Sequence, residues 1–205
     1  MRSFFVFACL FASLILAGCS SGERLVEAHG TTPDTSFTPV VVTEVAKSVV
    51  PISHPIIVDF SGYEERTIVI RTSERVLYVV IDSGRAVRFP IAVGKAGFEW
   101  SGEAVVGQMT VNPTWTPPPE MIGRRPELAK WAGGMPGGLS ENPLGTRAIY
   151  LYTTDGVDTQ YRIHGTNAPE SIGTAASSGC IRMFNEQVEL LYAHVRVGDK
   201  VIVED

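Results

Sequence analysis

Apolar residues come in short dense runs along most of this chain, and the breaks between the runs carry turn residues. "RTIVIRTSERVLYVVIDSGRAVRFPIAVG", residues 66 to 94, is packed with Val, Ile, Tyr and Phe and interrupted at Thr72-Ser73 and at Asp82-Ser83-Gly84. Runs of this length rich in β-branched and aromatic residues predict strands, and the second break is a hairpin signal. Further strands are predicted in "AVVGQMTV" (104–111), "AIYLYTT" (148–154), "QYRIHG" (160–165) and "KVIVE" (200–204). One segment has a helical period instead. Asn185 is placed to cap it, Glu186 sits in its first turn, and Val188, Leu191, Tyr192 and Val195 share a face before Gly198 stops it. The pattern predicts a mostly β domain, a sandwich or partial barrel with few short helices and a C-terminal helix.

Two stretches fit neither pattern. "NPTWTPPPEMIGRRPELAKWAGGMPGGLSENPLGTR", residues 112 to 147, is rich in Pro and Gly, and a long loop inside a compact domain usually lines or covers a site. Residues 19 to 65 carry Pro33, Pro39, Pro51 and Pro55 with many Thr and Ser and no sustained helical period, which predicts a tether. Ahead of it, Arg2 precedes an apolar run from Phe4 to Leu16 and then small residues, the layout of an export signal over residues 1–18. The end of that signal, Leu16-Ala17-Gly18-Cys19, resembles the lipobox of bacterial lipoproteins. The resemblance implies cleavage before Cys19, acylation of Cys19 and firm attachment to a membrane, because several acyl chains on one residue hold where a single chain does not. Ser20 and Ser21 follow, and by the same resemblance the absence of Asp there implies the outer membrane and a periplasmic location.

Charge narrows the partners. With 17 basic against 22 acidic residues the formal net charge is −5, and the cations form no stripe, so nucleic acid is not an expected partner. Of 3 cysteines, Cys9 leaves with the signal and Cys19 is expected to carry lipid, which leaves Cys180 without an intramolecular disulfide partner. Such a thiol in an exported protein is either buried and inert or kept for its reactivity. Small residues, Ala175 to Gly179, precede it, so the backbone there can bend and point N–H groups at an oxyanion. His164, at the end of a predicted strand, is placed to take the thiol proton. His29 and His54 lie in the tether and His194 in the last turn of the helix, so His164 is the one plausible base. From the residue pattern alone, a catalytic pair and a structural thiol beside a core histidine both remain open.

The wider motif, "IHGTN" through "SIG" to "SSGCIRM" and the helix after it, resembles the catalytic domain of bacterial L,D-transpeptidases of the YkuD type, in their ErfK-like members. The likeness reaches upstream to "LYVVIDSGRAVRFPIAVG", "WTPPPEM" and "NPLGTRAIYL", so it covers residues 67–204. It implies Cys180 as nucleophile and His164 as general base, Ser178 and Gly179 at the oxyanion-forming turn, and Arg182 and Asn185 at positions just after the cysteine. Many relatives carry a second histidine where this chain has Ser178; the departure implies that an imidazole is dispensable there and leaves the partner that orients His164 open, a backbone carbonyl being one candidate. Arg182 fits a substrate contact and a structural cation equally; Trp115 and Tyr161 are expected in the core. The implied reaction is acyl transfer on peptidoglycan peptide stems, with an amine of another stem, or of an outer-membrane protein, or water as acceptor. No cofactor and no metal is implied. A penicillin-binding type of D,D-transpeptidase is not supported, since no Ser stands three residues before any lysine. A non-catalytic wall-binding lipoprotein is the rival reading.

Overall fold

The computed structural model describes residues 54–96 and 100–205. The signal, Cys19 and most of the tether lie outside the described residues. Eleven strands are present among the described residues: β1 (Ile56–Asp59), β2 (Ile68–Arg71), β3 (Val76–Asp82), β4 (Arg85–Pro90), β5 (Val93–Gly94), β6 (Gly102–Val111), β7 (Arg147–Tyr152), β8 (Asp158–His164), β9 (Ala175–Ser177), β10 (Ile181–Arg182) and β11 (Lys200–Glu204). Two α-helices, α1 (Pro119–Arg124) and α2 (Asn185–His194), accompany short 3-10 turns at Pro126–Trp131 and Pro169–Ser171. Nine strands form one sheet in the order β1-β4-β3-β2-β11-β6-β7-β8-β10, and β5 pairs with β9. The large sheet is not closed, and the mostly β class predicted above is what forms.

Its centre explains the unbroken apolar runs. In β2, Ile68 and Ile70 are fully buried on one face while Val69 packs on the other with Phe60, Val76, Tyr78, Val80 and Ala86. A strand covered on both sides reads as continuous rather than alternating hydrophobicity. β11 runs parallel to β2 and antiparallel to β6, so the C-terminal strand is inserted into the middle of the sheet. At the hairpin between β3 and β4 the Gly84 N–H is donated to Asp82 Oδ1 at 3.0 Å, the local turn that the Asp-Ser-Gly signal specifies. The register of β6 on β7 shifts between Val106 and Gln108. Gly107 lies in that bulge, where a Cβ would meet the Tyr152 ring at 2.2 Å.

Two expectations need correction. The tether does not extend to residue 65: β1 pairs antiparallel with β4, the Phe60 N–H is donated to Gly84 O at 2.7 Å, and Phe60 stacks between Tyr63 and Tyr78. Asn185 does not cap the C-terminal helix. Phe184 occupies the cap position without a side-chain bond, and Asn185 is the first helical residue with its side chain turned elsewhere.

Candidate active site

The far end of the sheet brings the sequence-predicted residues together. β10 runs parallel to β8 with Ile181 opposite Ile163 and Arg182 opposite His164. Side chains alternate along a strand, so Ile163 and Ile181 enter the core while His164 and Arg182 face the other way. Cys180, two residues before Arg182, faces the same side. A cavity of about 690 Å³ opens there and is lined by His164, Ser177, Ser178, Cys180 and Arg182.

The 112–147 segment supplies the rest of the wall, including Trp115, Met121, Leu128, Trp131 and Leu144. It is a loop with internal ties. Trp115 and Met135 exchange main-chain hydrogen bonds of 3.0 and 2.6 Å. Asn142, 1% exposed, donates to Pro113 O at 3.0 Å and Pro136 O at 3.1 Å, and its Oδ1 accepts from the Leu144 N–H at 2.9 Å. A buried amide that binds three backbone groups fixes a loop that has no ladder of its own. Trp115, expected in the core, is half-buried and faces the cavity. Tyr161 stacks on Trp100 with ring centroids 5.0 Å apart.

The turn before Cys180 is held by Ser177. Its hydroxyl donates to Cys180 O at 2.6 Å and accepts from the Gly179 N–H at 3.1 Å. Gly179 has φ +113°, a backbone region that side chains avoid, so the turn depends on glycine. Its amide is thus committed to Ser177 and does not point into the cavity; Ser178 is the exposed member of the pair on the cavity wall. Sequence reading missed Ser177, although a serine two residues before a glycine is the signal for such a turn.

His164 is 4% exposed, and its Nδ1 lies 2.6 Å from Gly165 O. A carbonyl only accepts, so Nδ1 carries the proton and Nε2 is the unprotonated ring nitrogen. Burial pushes the His164 imidazole down to about 4, with the charges of Arg182 and Arg162 adding to the effect and the Gly165 bond opposing it. Burial pushes the Cys180 thiol above its ordinary value, against the pull of an Arg162 main-chain hydrogen bond and of the Arg162 and Arg182 charges. Both shifts favour the neutral forms. They point to a thiol and an imidazole rather than to a thiolate and an imidazolium.

Asn185 was expected to cap α2 and, by resemblance, to match a position just after the cysteine motif. The structure puts its Oδ1 within reach of the Thr166 and Thr146 N–H groups, at 3.0 and 3.3 Å, and its Nδ2 donates to Thr166 O at 3.0 Å.

The model of the L,D-transpeptidase catalytic domain, YkuD, matches residues 65–203. ErfK/SrfK of Escherichia coli (strain K12), named a probable L,D-transpeptidase, is 38% identical over 144 residues, 67% of this chain and 44% of that protein. YcfS of the same strain, named likewise, is 35% identical over 139 residues, 65% of this chain and 42% of that one. The chain thus spans less than half the length of these curated relatives. Among solved structures, a Brucella melitensis protein named a probable carnitine operon oxidoreductase aligns with TM-score 0.52 at 45% identity, covering 76% of this chain and 96% of that one. L,D-transpeptidase 3 from Mycobacterium tuberculosis aligns with TM-score 0.50 at 18% identity, over 68% of this chain and 60% of that one, a likeness of fold alone. The oxidoreductase name belongs to the Brucella protein. By the family match across most of its length, the chain belongs to the L,D-transpeptidase catalytic domain family.

Proposed function

We propose that this chain is an L,D-transpeptidase that acts on peptidoglycan peptide stems through Cys180 and His164. The observation that carries the reading is the shared cavity: the sole cysteine thiol among the described residues and a histidine with its Nδ1–H held by Gly165 O line one space on one face of the sheet. Nε2 takes the thiol proton as Sγ bonds to the carbonyl carbon of the L-centre of meso-diaminopimelate in a tetrapeptide stem. The oxyanion forms against the main-chain N–H of Cys180, the Gly179 amide being held by Ser177. On collapse the C–N bond to D-Ala breaks, the leaving amine takes the proton from His164, and a thioester holds the stem. An acceptor amine then attacks, gives its proton to His164, and expels the Cys180 sulfur, which takes that proton back. Arg182, whose charge reaches both His164 and Cys180, receives a stem carboxylate.

The acceptor is an amine of a second stem or of an outer-membrane protein. The Leu16-Ala17-Gly18-Cys19 sequence supports acylation at Cys19 and a site of action in the periplasm, tied to the outer membrane. The deciding experiment incubates wild type and Cys180→Ser with purified sacculi and, separately, with a carbapenem. Wild type is expected to release D-Ala, to form new stem or protein adducts and to gain one carbapenem mass, and the variant to do none of these. An adduct on both proteins, or on neither while transfer continues, would overturn Cys180 as nucleophile.

A further inference from the structure

We propose that Asn185 is a positioning residue for His164, acting through the single peptide group that joins Gly165 to Thr166. The inference rests on the reading of His164 as the base. That peptide group has two ends, and both are taken. Its carbonyl, Gly165 O, holds His164 Nδ1 at 2.6 Å. Its N–H, that of Thr166, is donated to Asn185 Oδ1 at 3.0 Å. A trans peptide is planar with N–H and C=O pointing opposite ways, so a side chain that fixes the N–H also fixes the direction of the carbonyl. Among the described residues no peptide is cis. The plane works as a lever between the start of α2 and the imidazole.

The amide is built into its place. Its Nδ2 donates to Thr166 O at 3.0 Å, so both polar ends of Asn185 grip the same residue. The Oδ1 also accepts from the Thr146 N–H at 3.3 Å, which ties the lever to the loop that carries Leu144 on the cavity wall. Two glycines leave room for that oxygen. A Cβ on Gly145 or on Gly165 would lie 2.1 Å from Asn185 Oδ1, a distance no side chain tolerates. An asparagine that served the helix would instead accept from N–H groups two or three residues ahead, and Asn185 gives its oxygen to two segments 39 and 19 residues away. The bonds also run in series, from Asn185 carbonyl to peptide N–H and from peptide carbonyl to Nδ1–H, and each polarises the next. The result is one ring orientation and one tautomer, with Nε2 bare toward the cavity.

The test compares wild type, Asn185→Ala and Asn185→Asp in three measurements: nitrogen NMR of the His164 ring, the kcat and KM of acyl transfer on muropeptide, and thermal stability. The wild-type ring is expected to show a single tautomer protonated at Nδ1. Asn185→Ala is expected to show a mixture and to lose roughly tenfold to a hundredfold in kcat with KM little changed, as for a base displaced from its working geometry. Asn185→Asp keeps the oxygen that both amides use and turns an acceptor toward Thr166 O, so a smaller loss in the same direction is expected. If Asn185→Ala does not fold, the ring and the kcat of Asn185→Asp decide. An unchanged ring and an unchanged kcat in the folded variant, with only the melting temperature lowered, would overturn the proposal and leave Asn185 as a scaffold residue. The ring is read without substrate, so a wild type that fails to transfer acyl groups would sink the proposed function alone.

Discussion

His164 and Arg182 stand opposite one another on the parallel strands β8 and β10, so a guanidinium and an imidazole share one face at the end of the sheet. Burial is the first cause that keeps the imidazole low, and the Arg182 charge adds to it. Among the described residues no carboxylate pairs with Arg182, so its field at the ring is not cancelled by an ion pair. Arg182→Gln is expected to raise the His164 pKa from about 4 toward its ordinary value, leaving the burial contribution in place. NMR titration of the ring protons checks this. A value that stays put or falls would remove Arg182 from the electrostatics of the site.

The same shift sets how stability depends on pH. His164 binds a proton with a pKa of about 4 when folded, against about 6.5 in the unfolded chain. Between these values the unfolded chain takes up a proton that the folded chain refuses, so stability falls as pH drops through this window and is fully present above it. The group alone is worth on the order of 3 kcal/mol over the window. Urea unfolding at pH 7 and pH 4.5 should show this loss in wild type and a smaller one in His164→Gln. Equal losses in both proteins would place the pH dependence on other groups.

The part of this structure that was legible in the sequence is the part governed by local pattern. β2, β3, β4, β7, β8 and β11 announced themselves because burial writes Val and Ile into short runs, and the Asp82-Ser83-Gly84 turn marks its own hairpin. β1 was hidden. Its four residues follow Pro51 and Pro55 in a Thr-rich and Ser-rich stretch, and what makes Ile56–Asp59 a strand is the free edge of β4, a partner some thirty residues ahead. Asn185 was misread for the same reason: the cap rule looks at neighbours in sequence, while its side chain answers to Thr146 and Thr166. At the site, Cys180 and His164 were visible as residue types and the Ser177 tie to the cysteine turn is local, whereas Asn142 and Asn185 answer to backbone distant in sequence.

Ser177 offers a test of how the cysteine turn is held. Its buried hydroxyl serves the Gly179 amide and the Cys180 carbonyl at once. Ser177→Ala removes both bonds and is expected to cost about 1–3 kcal/mol, since polar groups left unmade in a buried turn bear the full desolvation penalty. Cys180 should also become more open to iodoacetamide as the turn loosens. Chemical denaturation and alkylation rates measure the two effects, and a variant with wild-type values in both would show that the glycine conformation alone sets the turn.

The proton on Cys180 gives the last prediction. A preformed thiolate and imidazolium pair reacts with an alkylating agent at a rate that stays level across the pH range between the two pKa values, because the thiolate is already present. Here burial raises the thiol and lowers the imidazole, so neither group is charged near neutrality. The rate of iodoacetamide modification of Cys180 should therefore climb about tenfold per pH unit through the neutral range, with no acid plateau. His164→Ala removes the proposed acceptor of the thiol proton, yet it should alter simple alkylation far less than acyl transfer, which needs the proton both taken and returned. Cys180→Ser should take up no label. Intact-mass kinetics from pH 5 to 9 read all three proteins, and a flat rate from pH 5 to 7 in wild type would show that the pair is ionised at rest and that the proton moves before the substrate arrives.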